Sequence, residues 1–181
     1  MLYANHTNPF HDVFGPAFAA DRRIFTIISP VNLKIPGIGK FLPMIGGLPL
    51  GKTAAEKKAF NEAVDKRLKQ KKVLVVYPEA HVWPYYTGVR KFPAGDRSFK
   101  YAARNNLPVY TMTTTYHKRN DKKHGDLPRM DVYVDGPFWP ETGKSEDENR
   151  AILAKKAYDS MVKYSKKSTY NYFEYKKKKQ K

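Results

Sequence analysis

An imidazole and a carboxylate stand close together near the start of the chain, in the stretch Tyr3-Ala4-Asn5-His6-Thr7-Asn8-Pro9-Phe10-His11-Asp12. Asn8 reads as a helix N-cap and Pro9 as the first helical residue, so a helix begins between His6 and Asp12. Asp12 then falls in the first turn, where it can orient His6 and stabilise its charged form. An imidazole titrates near neutrality, and one held in this way suits a general base. The same residues also fit plain surface histidines in a loop. A second carboxylate follows the apolar run Val73–Tyr77, in Pro78-Glu79-Ala80-His81. Ligands gather outside the carboxyl ends of strands in open α/β sheets, which puts Glu79 where a site is expected. The alternative is a turn carboxylate with no role. Arg90-Lys91-Phe92-Pro93-Ala94-Gly95 supplies cations beside a turn and a following helix. Such groups hold phosphate, or else form a solvated basic loop. Gly46-Gly47-Leu48-Pro49-Leu50-Gly51-Lys52 is glycine-rich and ends in lysine before a helix, but its spacing is not that of a Walker loop.

The elements that must position these groups alternate between strands and helices. Val73–Tyr77, closed by Pro78, reads as a buried strand. Thr53-Ala-Ala-Glu56 matches a capping box, and Phe60, Val64 and Leu68 follow at spacing four, which predicts an amphipathic helix over 54–71 with a lysine-rich outer face. A second helix is expected from about Arg97 to Asn105, with Phe99, Ala102 and Ala103 inward. Pro108–Tyr116 and Asp131–Asp135 read as strands, the latter ended by Gly136-Pro137. A second capping box, Ser145-Glu-Asp-Glu148, opens a helix with Ala151, Ala154, Tyr158, Met161 and Val162 along one face. The segment His117–Arg129 is a charged excursion between strands. Strands interleaved with helices argue for an α/β domain.

Length and composition set bounds on this reading. A chain of 181 residues, 14% aromatic and 41% apolar, is long enough for one domain with a packed core. The absence of cysteine excludes disulfides, thiol catalysis and cysteine metal sites. No apolar run approaches the 18 or so residues of a membrane span, and no cleavable signal is visible. The stretches Ile24–Leu33 and Phe41–Leu50 are apolar but short, and both are broken by proline or glycine. The balance of 34 basic against 17 acidic residues, a net +17, attracts polyanions: nucleic acid, anionic lipid or an acidic carrier protein. The final Lys176-Lys-Lys-Lys-Gln-Lys181 reads as a solvated basic tail. The tyrosines at 170, 172 and 175 ahead of it suggest a small hydrophobic staple, with a membrane interface as the alternative.

Taken in order, these motifs resemble those of the glycerolipid acyltransferase family, the lysophosphatidic-acid (1-acyl-glycerol-3-phosphate) acyltransferases in particular. That family's first motif is Asn-His, four spacers and Asp; Asn5-His6 and Asp12 match it with five. Its Phe/Tyr-Pro-Glu-Gly motif is similar to Tyr77-Pro78-Glu79-Ala80, and its basic-Phe stretch to Arg90–Gly95. Its strand entered through Val-Pro is similar to Leu107-Pro108-Val109-Tyr110. At the place of its second motif Lys52 stands where the family has arginine. The resemblance spans roughly residues 3–116. The extra spacer turns Asp12 by about 100° if it lies within the helix, and is harmless if the Thr7-Asn8 loop absorbs it. Ala80 adds a methyl where the family has glycine, and Lys52 gives a point charge in place of a fork. Family members carry a strand and one or more helices ahead of the first motif, so the resemblance implies a shortened member or an incomplete reading frame.

The alternation of elements and the resemblance together lead us to expect a single α/β domain over residues 1–165, a mixed central sheet flanked by helices, and the charge run leads us to expect a basic tail without fixed structure over 166–181. The resemblance implies transfer of a fatty acyl group from a thioester to the hydroxyl of a lysophospholipid. His6 would be the base and Asp12 its partner; there would be no covalent acyl-enzyme and no metal or cofactor. Lys52, Arg90 and Lys91 would hold the acceptor's phosphate. Glu79 would position the glycerol hydroxyl or support the basic cluster. The thioester would come from coenzyme A or an acyl-carrier protein, and the protein would work peripherally on the anionic inner face of the cell membrane. The competing expectations are a basic nucleic-acid-binding protein, a hydrolytic metal site on His6, His11 and Asp12, and an inactive relative of the acyltransferases.

Overall fold

A computed structural model describes residues 1–8, 10–37, 39–120 and 125–176. Six strands form one sheet in the order β3-β2-β4-β1-β5-β6. They are β1 (Leu2–Ala4), β2 (Ile24–Ile28), β3 (Gly47–Pro49), β4 (Val73–Val76), β5 (Val109–His117) and β6 (Arg129–Phe138). The first five in the sheet run parallel, and β6 pairs antiparallel with β5. The helices are α1 (His11–Ala19), α2 (Ala54–Lys69), α3 (Lys100–Arg104, entered through a 3₁₀ turn at Arg97–Phe99) and α4 (Glu146–Ser165). The expected single α/β domain with a mixed, helix-flanked sheet is what the chain forms.

The sheet is central because its strands are apolar on both sides. Alternation sends Met1 and Tyr3 into the larger cluster and Leu2 and Ala4 into the smaller. The larger holds Phe60, Val64 and Leu68 of α2, Phe99 beside α3, and Leu153, Ala157 and Met161 of α4; Tyr3 stacks on Phe99 at 4.0 Å. The smaller joins Leu2, Ala4, Val75 and Met112 to Tyr77, whose hydroxyl reaches α1.

Both capping boxes form. Thr53 Oγ1 accepts from Glu56 N–H and Ser145 Oγ from Glu148 N–H, with each glutamate reaching back. The expected face of α4 holds at Met161, with Ala154 and Tyr158 packed at the core's edge, and the other fully buried apolar positions fall one residue earlier. Its buried row is Asn149, Leu153, Ala157 and Met161, while Ala151 is exposed and Ala154 and Tyr158 lie at the margin. Asn149 sits in that row because its amide bonds the Glu141 and Lys144 carbonyls and its Oδ1 accepts from Glu141 N–H, and these polar ties override the apolar count. The strand at 131–135 extends to Arg129–Phe138. Pro9, expected as the first helical residue, and 177–181, the end of the expected tail, lie outside the described residues. So does 121–124 within the charged excursion. Residues 166–176 do not project from the domain; they lie against β5 and the loop after β4.

Candidate active site

Sheet topology collects the chemistry. In parallel strands the carboxyl ends share one edge, and β1 sits between β4 and β5. The residues after β1 (Asn5, His6) and after β4 (Tyr77, Glu79) therefore meet there. Asn5 locks the turn by a pair of bonds across to β5: its Nδ2 donates to the Thr114 carbonyl at 3.0 Å and its Oδ1 accepts from Thr114 N–H at 2.8 Å.

His6 Nδ1 lies 2.7 Å from Asp12 Oδ2. The Asp12 side chain is only 2% exposed and that of His6 22%. The same Oδ2 accepts from Asn8 N–H at 3.0 Å. An ionised carboxylate only accepts, which assigns the His6 proton to Nδ1 and leaves Nε2 as the basic nitrogen. The five-residue spacer is absorbed in the loop. Asn8 Oδ1 takes the N–H groups of Phe10 and His11 at 3.1 and 3.0 Å, and regular helix starts only at His11. Asp12 thus sits in the first turn, where the helix dipole favours negative charge.

Two residues to which the sequence reading gave no role complete the support. Pro16 lies inside α1 and has no N–H to give the carbonyl four residues back, that of Asp12. The Tyr77 hydroxyl takes that free carbonyl, and its ring stacks on His6 with centroids 4.4 Å apart. Burial pushes the Tyr77 phenol far above its ordinary range, and the Asp12 charge adds to this, so it remains a donor. A proline four residues after the candidate carboxylate was the available signal.

Glu79 is 2% exposed and both of its oxygens are engaged. Oε1 accepts from His6 N–H at 3.1 Å and Oε2 from Arg90 N–H at 2.8 Å. Burial raises its pKa, and these two backbone donors pull it back. Its oxygens therefore clamp the His6 turn to the Arg90 loop. The Arg90 guanidinium lies over the Trp83 ring, 4.0 Å from its centroid, and 4.9 Å from that of Tyr86. Lys91 is exposed, and Phe92 beside it is buried among Phe99 and Tyr158, which fixes the loop.

Lys52 lies three residues beyond β3, on the same sheet edge but three strand spacings from β1, about 14 Å across the sheet. It is exposed, and Gly51 before it is required. A Cβ there would fall 2.3 Å from the Glu56 carbonyl carbon. The His11 ring lies over Gly15. Among the described residues no group of three or more His, Asp or Glu side chains is placed to hold a metal ion.

No family model matches the sequence, and none of the curated proteins does. Among solved structures, the chain is similar to the crystal structure of the 1-acyl-sn-glycerophosphate (LPA) acyltransferase PlsC from Thermotoga maritima. The TM-score is 0.62 at 20% sequence identity, over 93% of this chain and 67% of that one. The chain has the glycerolipid acyltransferase fold. Within that acyltransferase fold, Ala80 takes a left-handed backbone with φ +63°, at the position where the family motif has glycine.

Two substitutions test this geometry. Glu79→Gln sets an amide against two backbone N–H groups that each need an acceptor. It should cost about 1–3 kcal/mol in chemical denaturation, and an unchanged midpoint would contradict the clamp. Ala80→Gly should raise stability by up to about 1 kcal/mol, because a left-handed backbone is costly for alanine but not for glycine. A lower melting temperature would contradict the assigned backbone.

Proposed function

We propose that the protein is an acyltransferase that moves a fatty acyl group from a thioester to the free hydroxyl of a lysophospholipid such as 1-acyl-glycerol-3-phosphate. The observation that carries this is the His6–Asp12 pair, with Nδ1 held and Nε2 open at the carboxyl edge of the sheet. His6 Nε2 takes the proton as the acceptor hydroxyl oxygen attacks the thioester carbonyl. Asp12 stabilises the imidazolium, and the tetrahedral intermediate collapses with loss of the thiolate, which recovers that proton. Oxygen gains the acyl group and sulfur the hydrogen, with no acyl-enzyme.

Arg90 and Lys91 serve the acceptor's phosphate, with Lys52 a further cation on the same edge. Glu79 acts from behind, holding the Arg90 and His6 backbones rather than the glycerol. The thioester comes from coenzyme A or an acyl-carrier protein, and no metal or other cofactor enters the reaction.

The surface fits work at a lipid boundary. Phe10, just before α1, and Phe14 and Phe18 within it follow at spacing four and are 80%, 59% and 91% exposed. Val31, Ile35, Phe41, Met44, Ile45 and Leu50 are exposed as well. No helix among the described residues is long and apolar enough to cross a membrane. Exposed rings together with a +17 chain give the two signals that peripheral attachment to an anionic bilayer needs. The inner face of the cell membrane meets this description. Single-stranded nucleic acid offers the charge and bases to stack on the rings, but no partner for the exposed aliphatic Val31, Ile35, Met44, Ile45 and Leu50.

His6→Ala should lower kcat for thioester-dependent acylation of lysophosphatidic acid by about 10²- to 10⁴-fold. Near-normal turnover would remove His6 as the base, and a wild-type protein that consumes no thioester would leave the fold without this activity. Phe14→Asp combined with Phe18→Asp should cut co-sedimentation with phosphatidylglycerol vesicles more than about tenfold, since each buried phenylalanine is worth roughly 1.5–3 kcal/mol. Equal binding of the variant, or preferential binding of an oligonucleotide, would contradict the lipid-facing assignment.

A further inference from the structure

The loop from Glu79 to Asp96 carries Arg90 and abuts His6, yet it contains no helix or strand. Its attachment to the catalytic turn consists of two backbone bonds besides the Glu79 clamp. Trp83 N–H donates to the His6 carbonyl at 2.7 Å and Tyr85 N–H to the Thr7 carbonyl at 2.8 Å. Tyr85 adopts φ +56°, a conformation that a bulky residue holds only when its surroundings impose it.

Segment 168–176 supplies those surroundings. It is fixed to β5 by the N–H groups of Thr169 and Tyr170, both donated to the Tyr116 carbonyl at 3.0 and 3.2 Å. The Ser168 hydroxyl in turn accepts from Tyr116 N–H at 3.2 Å. The segment then crosses the loop. Tyr172 and Phe173 pack on the Tyr85 ring at 4.7 and 5.5 Å, with Tyr116 beneath at 5.3 Å. Tyr175 meets Trp83 at 5.9 Å and Tyr86 at 5.2 Å, the two rings that face the Arg90 guanidinium, and its hydroxyl donates to the Pro84 carbonyl at 2.7 Å.

From these contacts we infer that residues 168–176 form a strap that positions the active site. It holds Trp83 and Tyr85 against the His6 turn and fixes the aromatic bed of Arg90. Tyr172 and Tyr175 are positioning residues, because they reach the site only through the loop. The mechanical part stands on the geometry alone, and the effect on turnover rests on the acyltransferase reading.

The experiment compares the full chain with a stop after Lys167, the double variant Tyr172→Ala with Tyr175→Ala, and Tyr175→Phe. Amide hydrogen exchange is read at 83–87, with β4 and β5 as the control for global folding. Loss of the strap should speed exchange of the Trp83 and Tyr85 amides by about tenfold or more while β4 and β5 keep their protection. Tyr175→Phe keeps the ring and should show a smaller change. With lysophosphatidic acid as acceptor, kcat/KM should fall about tenfold in the double variant with part of the loss in a raised acceptor KM, a change that loss of folded protein alone does not produce because it lowers apparent kcat at constant KM.

Unchanged exchange at 83–87 in the double variant overturns the strap, and so does loss of kcat/KM without it. Should the shortened chain unfold throughout, the two point variants decide. A wild-type protein without acyl transfer ends the enzyme reading, and the exchange data still decide whether the strap holds the loop.

Discussion

A carboxylate removed from water must find donors, and Asp12 organises its surroundings to supply them. A buried charge without partners costs several kcal/mol, so the chain around it has little freedom. Oδ2 draws in both the His6 imidazole and Asn8 N–H. Asn8 is held there in part by its side chain, which accepts from the N–H groups at the start of α1. The main chain of the same residue matters equally. Pro16 leaves the Asp12 carbonyl unbonded within α1, and Tyr77 closes on it from β4. The two faces of the imidazole pair are thereby fixed, a carboxylate at its edge and a phenol ring beneath it.

Glu79 repeats this logic one strand away. It too is buried, and both oxygens meet backbone N–H groups, one from the turn after β1 and one from the loop before α3. Asp12 contributes to the raised pKa of Glu79, where burial is the leading cause. Two buried carboxylates near one another are tolerable because oriented backbone N–H groups and the His6 imidazole meet their oxygens. Glu79 fixes where the Arg90 backbone stands relative to that of His6.

Legibility in the sequence followed the range of the interactions. The capping boxes at Thr53 and Ser145 depend on residues three apart, and both were readable. Strands β4 and β5 were plain from apolar and β-branched runs. Strand β1, three residues long, shows no period of its own, and only pairing with β4 and β5 defines it. The stretch 24–50 was read as apolar without strands, because β2 and β3 are short and their pairing is mutual. His6 and Asp12 were found from spacing plus helix chemistry, and the contact between them is local. Glu79 was found as a candidate but its bonds to His6 and Arg90 were not, since they join residues 73 and 11 positions apart. The tyrosines at 170, 172 and 175 read as a staple; what they staple was invisible until β5 brought Tyr116 beneath the loop.

The cations separate on the same grounds. Arg104 and Arg150 are matched to Asp65 and Asp96, so their charge is largely spent within the fold. Lys52 lies beside Glu56, whose carboxyl its charge helps hold below the ordinary range after the stronger pull of the Thr53 and Lys52 backbone N–H groups. Among the described residues no carboxylate pairs with Arg90. Aromatic faces hold it instead, and they orient a guanidinium without neutralising its edge. A cation stacked in this way is stable in the free protein yet keeps donors for a phosphate. Its backbone is tied through Glu79 to that of His6. Of the basic groups on this edge of the sheet, Arg90 is the one whose position relative to His6 is fixed by the fold.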